Sequence, residues 1–431
     1  MGAGLRVLNK LASSSTIDRF KLRKPTEKVV YHGSKNGFKA AGAASRAFSS
    51  KSKQDKPARQ PKAGGSGKFD LTPSDEQQML VEAFGDFAMA ELYPIANKAD
   101  LDCATPPEIL KQSTELGITM IGVPEQLGGA VEERSAVTST LISEALAKGD
   151  LGLAVAVLAP AAVSTAIGLW GDGDQQSTYL PEFVGEDVPA AALAVMEPRP
   201  LFDPFKLDTK ATKDADGGYT LNGVKSLVPR AAEAELFVIA AELDGKPSLF
   251  IVESKTGGIG VTSEPAMGIR AAATATLSFE NVKLPAAALL GGAEVEVYTE
   301  MVRLSRVAWG AVAAGTSQAV LDYVGPYVNE RKAFGEPISH RQAVAFMVSN
   351  IAIELDGIRL ATYRAASLAD QGKDFAREAA LTRQLTQKYG MEIGSNGVQL
   401  LGGHGYTQEY PVERWYRDLR AAGLMEGVLL V

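Results

Sequence analysis

Cysteine is almost missing from this chain: Cys103 is the only one in 431 residues. No intrachain disulfide can form, which excludes a disulfide-stapled secreted scaffold and a zinc site built from cysteines. Histidine is nearly as scarce, and His32, His340 and His404 lie far apart in sequence, so no metal-ligand spacing is present. No uninterrupted apolar run reaches the roughly 18 residues that would span a bilayer. The nearest, GLAVAVLAPAAVSTAIGLW, contains Pro160, Ser164 and Thr165 and lies within helical patterning, so a buried helix is expected there and the chain is read as not transmembrane. Three common short signatures are also missing: G-x-G-x-x-G, G-x-x-x-x-G-K-[ST] and G-x-S-x-G.

Acidic residues are scarce at the N-terminus. Residues 1–66 hold 15 Lys/Arg against only Asp18, Glu27 and Asp55, a net of +12, so the remainder holds 29 basic and 48 acidic residues, a net of -19. That balance argues against nucleic acid as a partner of the main body. The first 50 residues are basic and rich in Ser and Ala, like an organellar targeting peptide, but they are long for one and also fit a basic bacterial extension. The compartment is therefore read as cytoplasmic in a bacterium, with the mitochondrial matrix as the alternative. KSKQDKPARQPKAGGSGK, residues 51–68, has almost nothing to bury and reads as a linker.

What remains is an ordinary globular composition, 45% apolar and 22% charged, long enough for more than one hydrophobic core. Ser74 opens a helical pattern in which Met79, Leu80, Ala83, Phe84 and Phe87 share a face. That texture continues to about residue 188, broken at Gly128 and Gly129. From 189 to about 287 the chain changes to short β-rich runs separated by D-G, N-G and T-G-G, the rhythm of an antiparallel barrel or sandwich. Long helical repeats return from about 294 and suit a bundle. The expected fold is mainly α with a central β domain: an extension and linker (1–68), a helical domain (69–188), a β domain (189–287) and a C-terminal four-helix bundle (288–431).

NERKAFGEPISHRQ, beginning at Asn329, and QLLGGHGYTQEYPVERWYRDLR, beginning at Gln399, resemble the acyl-CoA dehydrogenase family. Shorter similarities lie at PEQLGG (124–129), MEP (196–198), LNGVK (221–225) and GIR…FENVKLP (268–285), so the resemblance covers about 69–431. It implies the same three-domain layout and a role in fatty-acid and lipid metabolism. It also implies oxidation of an acyl-CoA thioester to its trans-2-enoyl-CoA by bound FAD, with electrons leaving to an electron-transfer flavoprotein. In this family a carboxylate removes the α-proton while hydride passes from the β-carbon to the flavin. Such an α-proton is too weakly acidic for a solvated glutamate, so the carbonyl must sit on hydrogen-bond donors in a dry site.

By the resemblance, Glu426 in LMEG holds the base position. A minority of relatives carry the base on an earlier helix, before an arginine; here that position is Ser305, which cannot serve. Position alone would make Glu426 an exposed acid on a mobile tail. Arg331 matches the arginine that grips the FAD pyrophosphate, where a guanidinium fork suits two phosphate charges. Phe334 and Gln342 match positions near the same cofactor, and Gln399, Gly402 and Gly403 match the loop over its adenosine half. Since half of each flavin site comes from a neighbouring subunit, a homodimer or homotetramer is implied. Arg270, Arg306 and Glu413 are expected to be structural.

The chain departs from the family pattern where the flavin ring would lie. MEPRPLFD stands for the usual T-E-P-G-A-G-S-D, so Met196 replaces a threonine and Phe202 a serine; Leu227 replaces a tryptophan and Pro229 a threonine. After E-G the chain has Val428 and ends at Val431, where relatives have Thr or Ser and a further helix. Two functions stay open: a working FAD-dependent acyl-CoA dehydrogenase, or a non-catalytic or half-site subunit of a heteromeric complex.

Overall fold

The computed structural model describes residues 72–129, 134–185 and 187–431. The basic extension and linker, and with them any targeting signal, lie outside the described residues.

Ser74 starts helix α1 (Asp75–Phe87) through a reciprocal cap: its hydroxyl accepts the Gln77 N–H, and the Gln77 side chain accepts the Ser74 N–H. One wide turn, Ala88–Leu92, carries the chain into α2 (Tyr93–Asp102), and α3 (Pro107–Glu115) follows. The expected break at Gly128 closes a short tight turn, Glu125–Leu127. Ser135 and Asp150 then cap α4 (Ala136–Gly149) and α5 (Leu151–Trp170), and α6 (Gly173–Tyr179) completes this half. Helix α5 is long and apolar enough to cross a membrane by composition alone, but 94% of its most apolar stretch is buried inside the protein. It is a buried helix of the core, as the sequence suggests.

Eight strands follow: β1 (Ala191–Ala194), β2 (Lys210–Lys213), β3 (Tyr219–Val228), β4 (Leu236–Leu243), β5 (Lys246–Glu253), β6 (Ile259–Ser263), β7 (Ala275–Leu284) and β8 (Leu289–Leu290). They form one sheet in the order β6-β7-β3-β2-β4-β5-β8, with β1 also on β4. The expectation of a wholly antiparallel domain needs correction, because β1 and β2 both run parallel to β4. Turn residues specify only local hairpins: Asp216-Gly217 joins β2 to β3, and Asp244-Gly245 joins β4 to β5. Strand β1 has no such partner; it is separated from β2 by a long loop and lies beside β4 instead. Asn222-Gly223 is not a turn either. It sits inside β3 at a register shift against β7, where Gly223 has φ 144° and a Cβ would lie 2.6 Å from Thr209 Cα.

Alternation along β4 divides the core. Leu236, Val238 and Ala240 join the helical core, while Phe237, Ile239 and Ala241 fill the interior of the β domain. The C-terminal bundle consists of α7 (Val295–Glu330), α8 (Gln342–Asp370), α9 (Ala376–Leu385) continued through a wide turn at Thr386–Gly390 into α10 (Met391–Leu401), and α11 (Val412–Ala422). A two-stranded hairpin, β9 (Lys332–Ala333) and β10 (Glu336–Pro337), links α7 to α8.

Candidate active site

Helix α11 ends at Ala422, and the residues after it turn inward rather than fraying. Met425, Val428, Leu429, Leu430 and Val431 are all buried, since five large apolar side chains in seven residues gain more from the core than from water. Gly427 and Val428 turn the chain with φ 70° and 73°. The Gly427 carbonyl accepts hydrogen bonds from Ser305 Oγ and Trp309 Nε1 of α7, both at 2.8 Å. A Cβ at Gly427 would sit 2.3 Å from Val195 Cγ2, so only glycine fits this crossing. Val428 bridges Leu193 of β1. Glu426 is thereby held at the seam of β1 and α7, only 4% exposed, and the exposed-tail expectation is overturned.

Two guanidinium groups meet its carboxylate. Arg306 Nε lies 3.2 and 3.1 Å from the two oxygens, and its Nη2 lies 2.9 Å from Oε1. Arg383 Nε is 3.3 Å from Oε1. Arg306, expected to be structural, is thus a direct partner of Glu426, and Arg383 carried no sequence signal for this place. Tyr298 belongs to the same region: its hydroxyl donates to the Pro204 carbonyl at 2.6 Å. Burial pushes this phenol well above its ordinary pKa, and Glu426, Glu197 and Asp203 push it further, so it stays neutral.

On the β-domain side, Met196, Phe202 and Leu227 are half-buried and Pro229 is buried. Leu227 has a left-handed backbone, φ 53°, and its N–H donates to Glu264 Oε2 at 2.7 Å. Ser226 and Thr276 hydroxyls bond the same carboxylate at 2.6 and 2.8 Å. Arg199 holds the loop after β1 by bonding Asp208 at 2.9 Å, the Asp203 carbonyl at 3.2 Å and the Lys206 carbonyl, with its guanidinium 5.3 Å from the Phe202 ring centre. Behind this surface lies a buried ion pair. Lys225 Nζ donates to Glu197 Oε1 at 2.9 Å and to the Val195 carbonyl at 3.1 Å, while Glu197 accepts the Asp208 and Thr209 N–H groups at 2.7 and 2.9 Å.

Far along α7, a cavity of ≈ 590 Å³ opens between Tyr327, Arg331, Phe334, Arg341, Gln399, Gly402 and Gly403. Five of the six sequence-selected cofactor positions border it; Gln342, the first residue of α8, is exposed but does not. The Arg331 guanidinium is exposed, and Phe334 is 95% exposed with Arg341 over its ring at 5.3 Å. A Cβ at Gly402 or Gly403 would meet nothing within 4 Å, leaving the backbone open to a ligand. For the FAD implied by the resemblance, this side fits: a phosphate-matching cation and an exposed aromatic ring line an open cavity. The ring-facing side chains at 196, 202, 227 and 229 offer apolar surface and no polar group.

Three family models match in order along the chain: the acyl-CoA dehydrogenase N-terminal domain at 74–187, middle domain at 192–282 and C-terminal domain at 295–429. The chain is 32% identical over 365 residues to the short/branched chain specific acyl-CoA dehydrogenase, mitochondrial, of Bos taurus, covering 83% of each. It is 32% identical over 374 residues to the acryloyl-CoA reductase (NADH) of Anaerotignum propionicum, covering 84% of this chain and 93% of that one. Among solved structures, butyryl-CoA dehydrogenase from Megasphaera elsdenii superposes with a TM-score of 0.77 at 29% identity, covering 83% of this chain and 96% of that one. This chain belongs to the acyl-CoA dehydrogenase family, and is an oxidoreductase acting on CH–CH groups.

Proposed function

We propose that the protein carries out FAD-dependent α,β-dehydrogenation of an acyl-CoA thioester, with Glu426 as the base and an electron-transfer flavoprotein as the acceptor of electrons. The observation that carries this reading is the burial of Glu426 at the β1–α7 seam, where water cannot solvate the carboxylate. In the reaction the C2–H bond breaks toward Glu426, the C3–H bond is lost as hydride, and a C2=C3 double bond forms. Bound FAD supplies the hydride acceptor. Arg331, Phe334, Gln399, Gly402 and Gly403 would hold its phosphate and adenosine parts, and exposed Gln342, outside the cavity, would reach cofactor across the interface, in a homo-oligomer whose neighbouring subunit completes the cavity. The domain boundaries proposed with this reading are those of the sequence: 1–68, 69–188, 189–287 and 288–431.

Both Glu426 oxygens are bonded to Arg306, and loosening one of these bonds would open the carboxylate further to the substrate's proton. Ser305 and Trp309 keep the adjacent carbonyl in place while that happens. Neutral Tyr298 fixes the loop at Pro204 and adds no competing charge. The same Arg306 pairing favours a second reading, in which Glu426 is a structural latch in a half-site subunit of a heteromeric dehydrogenase, with cofactor contacts at the Arg331 cavity and none at the apolar face of Met196, Phe202, Leu227 and Pro229.

The decisive experiment uses purified full-length protein: its visible absorbance, then turnover of butyryl-, octanoyl- and palmitoyl-CoA with an acceptor dye. A flavin spectrum, turnover of one of these substrates, and a loss of at least about 10³-fold in kcat for Glu426→Gln with flavin retained are expected. A colourless protein that takes up no added FAD by itself and oxidises none of the three would overturn the first reading and favour the second.

A further inference from the structure

The C-terminal end of α11 presents backbone carbonyls that no helical turn satisfies. One side chain collects them. Arg383, near the end of α9, donates from Nη1 to the Ala422 and Met425 carbonyls at 3.3 and 2.8 Å, and from Nη2 to the Leu424 carbonyl at 2.9 Å. Its remaining Nε lies 3.3 Å from Glu426 Oε1. Three carbonyls of one short segment and the carboxylate that ends it thus converge on a single planar group that is 17% exposed.

We propose that Arg383 is a positioning residue for Glu426: its hydrogen bonds fix the backbone from Ala422 to Met425, and the ion pair at Nε holds the carboxylate beside that backbone. This rests on the reading of Glu426 as the base. The chemistry selects arginine. Only a guanidinium offers donors along several edges of one rigid plane, so the three carbonyls are bonded in fixed relation to the charge that pairs with the carboxylate; an ammonium supplies a point charge without that geometry. A cation beside the last carbonyls of a helix is favoured in any case. What exceeds an ordinary helix-end contact is the fourth contact, to Glu426. Arg306 reaches the same carboxylate from α7 and bonds none of those carbonyls. Arg306 holds the charge; Arg383 ties that charge to the path of the chain.

The test compares Arg383→Met and Arg383→Lys with wild type in the FAD-loaded, full-length protein, using whichever of the three acyl-CoA substrates turns over. Arg383→Met is expected to lose at least about 30-fold in kcat with KM within about threefold, since the bound substrate is unchanged and the base is misplaced. The acid limb of its kcat–pH profile should move to higher pH, because a positive charge beside the carboxylate has gone. Arg383→Lys should restore the acid limb but only part of kcat. Independently of flavin, amide hydrogen exchange over residues 423–431 should be at least about tenfold faster in Arg383→Met. A role confined to capping α11 would change stability and exchange but leave the acid limb and the kcat–KM split unmoved, and that result overturns the proposal. If Arg383→Met does not fold, Arg383→Lys decides alone, and a kcat equal to wild type overturns it. Full activity in Glu426→Gln would remove the base assignment instead, whatever the Arg383 variants do.

Discussion

Replacing Lys225 with methionine should be far more damaging than a single strand substitution ordinarily is. The side chain is fully buried on β3, and its ammonium joins β3 to the end of β1 through Glu197 and the Val195 carbonyl. Methionine nearly conserves the volume, so little of the effect comes from a cavity. It strands the Val195 carbonyl and leaves Glu197, 4% exposed, with only the N–H groups of Asp208 and Thr209. An unmatched carbonyl costs about 1–3 kcal/mol and a lost charged hydrogen bond about 1.5–3 kcal/mol. The expected total, about 3–5 kcal/mol, is the usual cost of breaking a buried ion pair from one side. Urea unfolding followed by tryptophan fluorescence measures it. The double variant Lys225→Met/Glu197→Gln should recover at least about 1 kcal/mol relative to the sum of the single losses. pH supplies a second signature. Burial lowers Lys225 to about 8, against the opposing pull of Glu197. Between that value and the ordinary lysine range the unfolded chain holds a proton that the folded chain has released, so stability gains a rising slope with pH that Lys225→Met removes. For Glu197, burial alone would raise the pKa, but Lys225 and the two N–H groups bring it below the ordinary range. Its stabilisation is therefore present above that range and lost as the pH falls through it. A loss under about 1 kcal/mol for Lys225→Met, or strict additivity with Glu197→Gln, would refute the reasoning.

Two other substitutions probe α11 and the segment that follows it. Burial, reinforced by Asp150, pushes Asp418 of α11 up to about 8, although the Ile269 N–H donates to it at 2.6 Å. Between the ordinary aspartate range and pH 8 the folded chain holds a proton the unfolded chain has released, so stability falls with rising pH; Asp418→Asn should gain on the order of 1 kcal/mol or more at pH 8 and nothing at pH 4, read from urea midpoints at the two pH values. Gly427→Ala places a methyl 2.3 Å from Val195 Cγ2 at a residue with φ 70°, and should cost about 1–3 kcal/mol in thermal or urea unfolding and at least tenfold in kcat; an unaffected kcat would mean the crossing does not set the position of Glu426.

Much of the architecture was legible because it is locally encoded. The Ser74 cap, the apolar helix ending at Trp170 and the D-G hairpins each announce themselves within a few residues. The parallel pairing of β1 and β2 with β4 was not, since no turn chemistry specifies pairing between distant strands. Asn222-Gly223 misled for a related reason: the glycine is needed for close approach to Thr209, a contact within the fold that resembles a turn in sequence. Of the six positions chosen by motif matching, five surround one cavity, but the motif could not show that Gln342 is not among its lining residues.

The electrostatics of Glu426 were the least legible part, and the consequence is mechanistic. Arg306 lies 120 residues and Arg383 43 residues before it, so neither pairing has a local signature, yet together they decide what the glutamate can do. A glutamate held by two guanidinium groups is a latch, and the proposed base role at the same carboxylate is served best when one of those contacts loosens. Releasing one charge-assisted bond costs about 1.5–3 kcal/mol. A substrate that binds through a large non-reacting portion has interaction energy of that size to spend far from the reacting carbon. Truncating an acyl-CoA away from the thioester should therefore lower kcat as well as raise KM, because a substrate that binds less strongly frees Glu426 less often. If truncated thioesters lose affinity alone and turn over at the full rate when saturating, Glu426 is already free in the resting enzyme, and the Arg306 pairing is not part of the catalytic cycle.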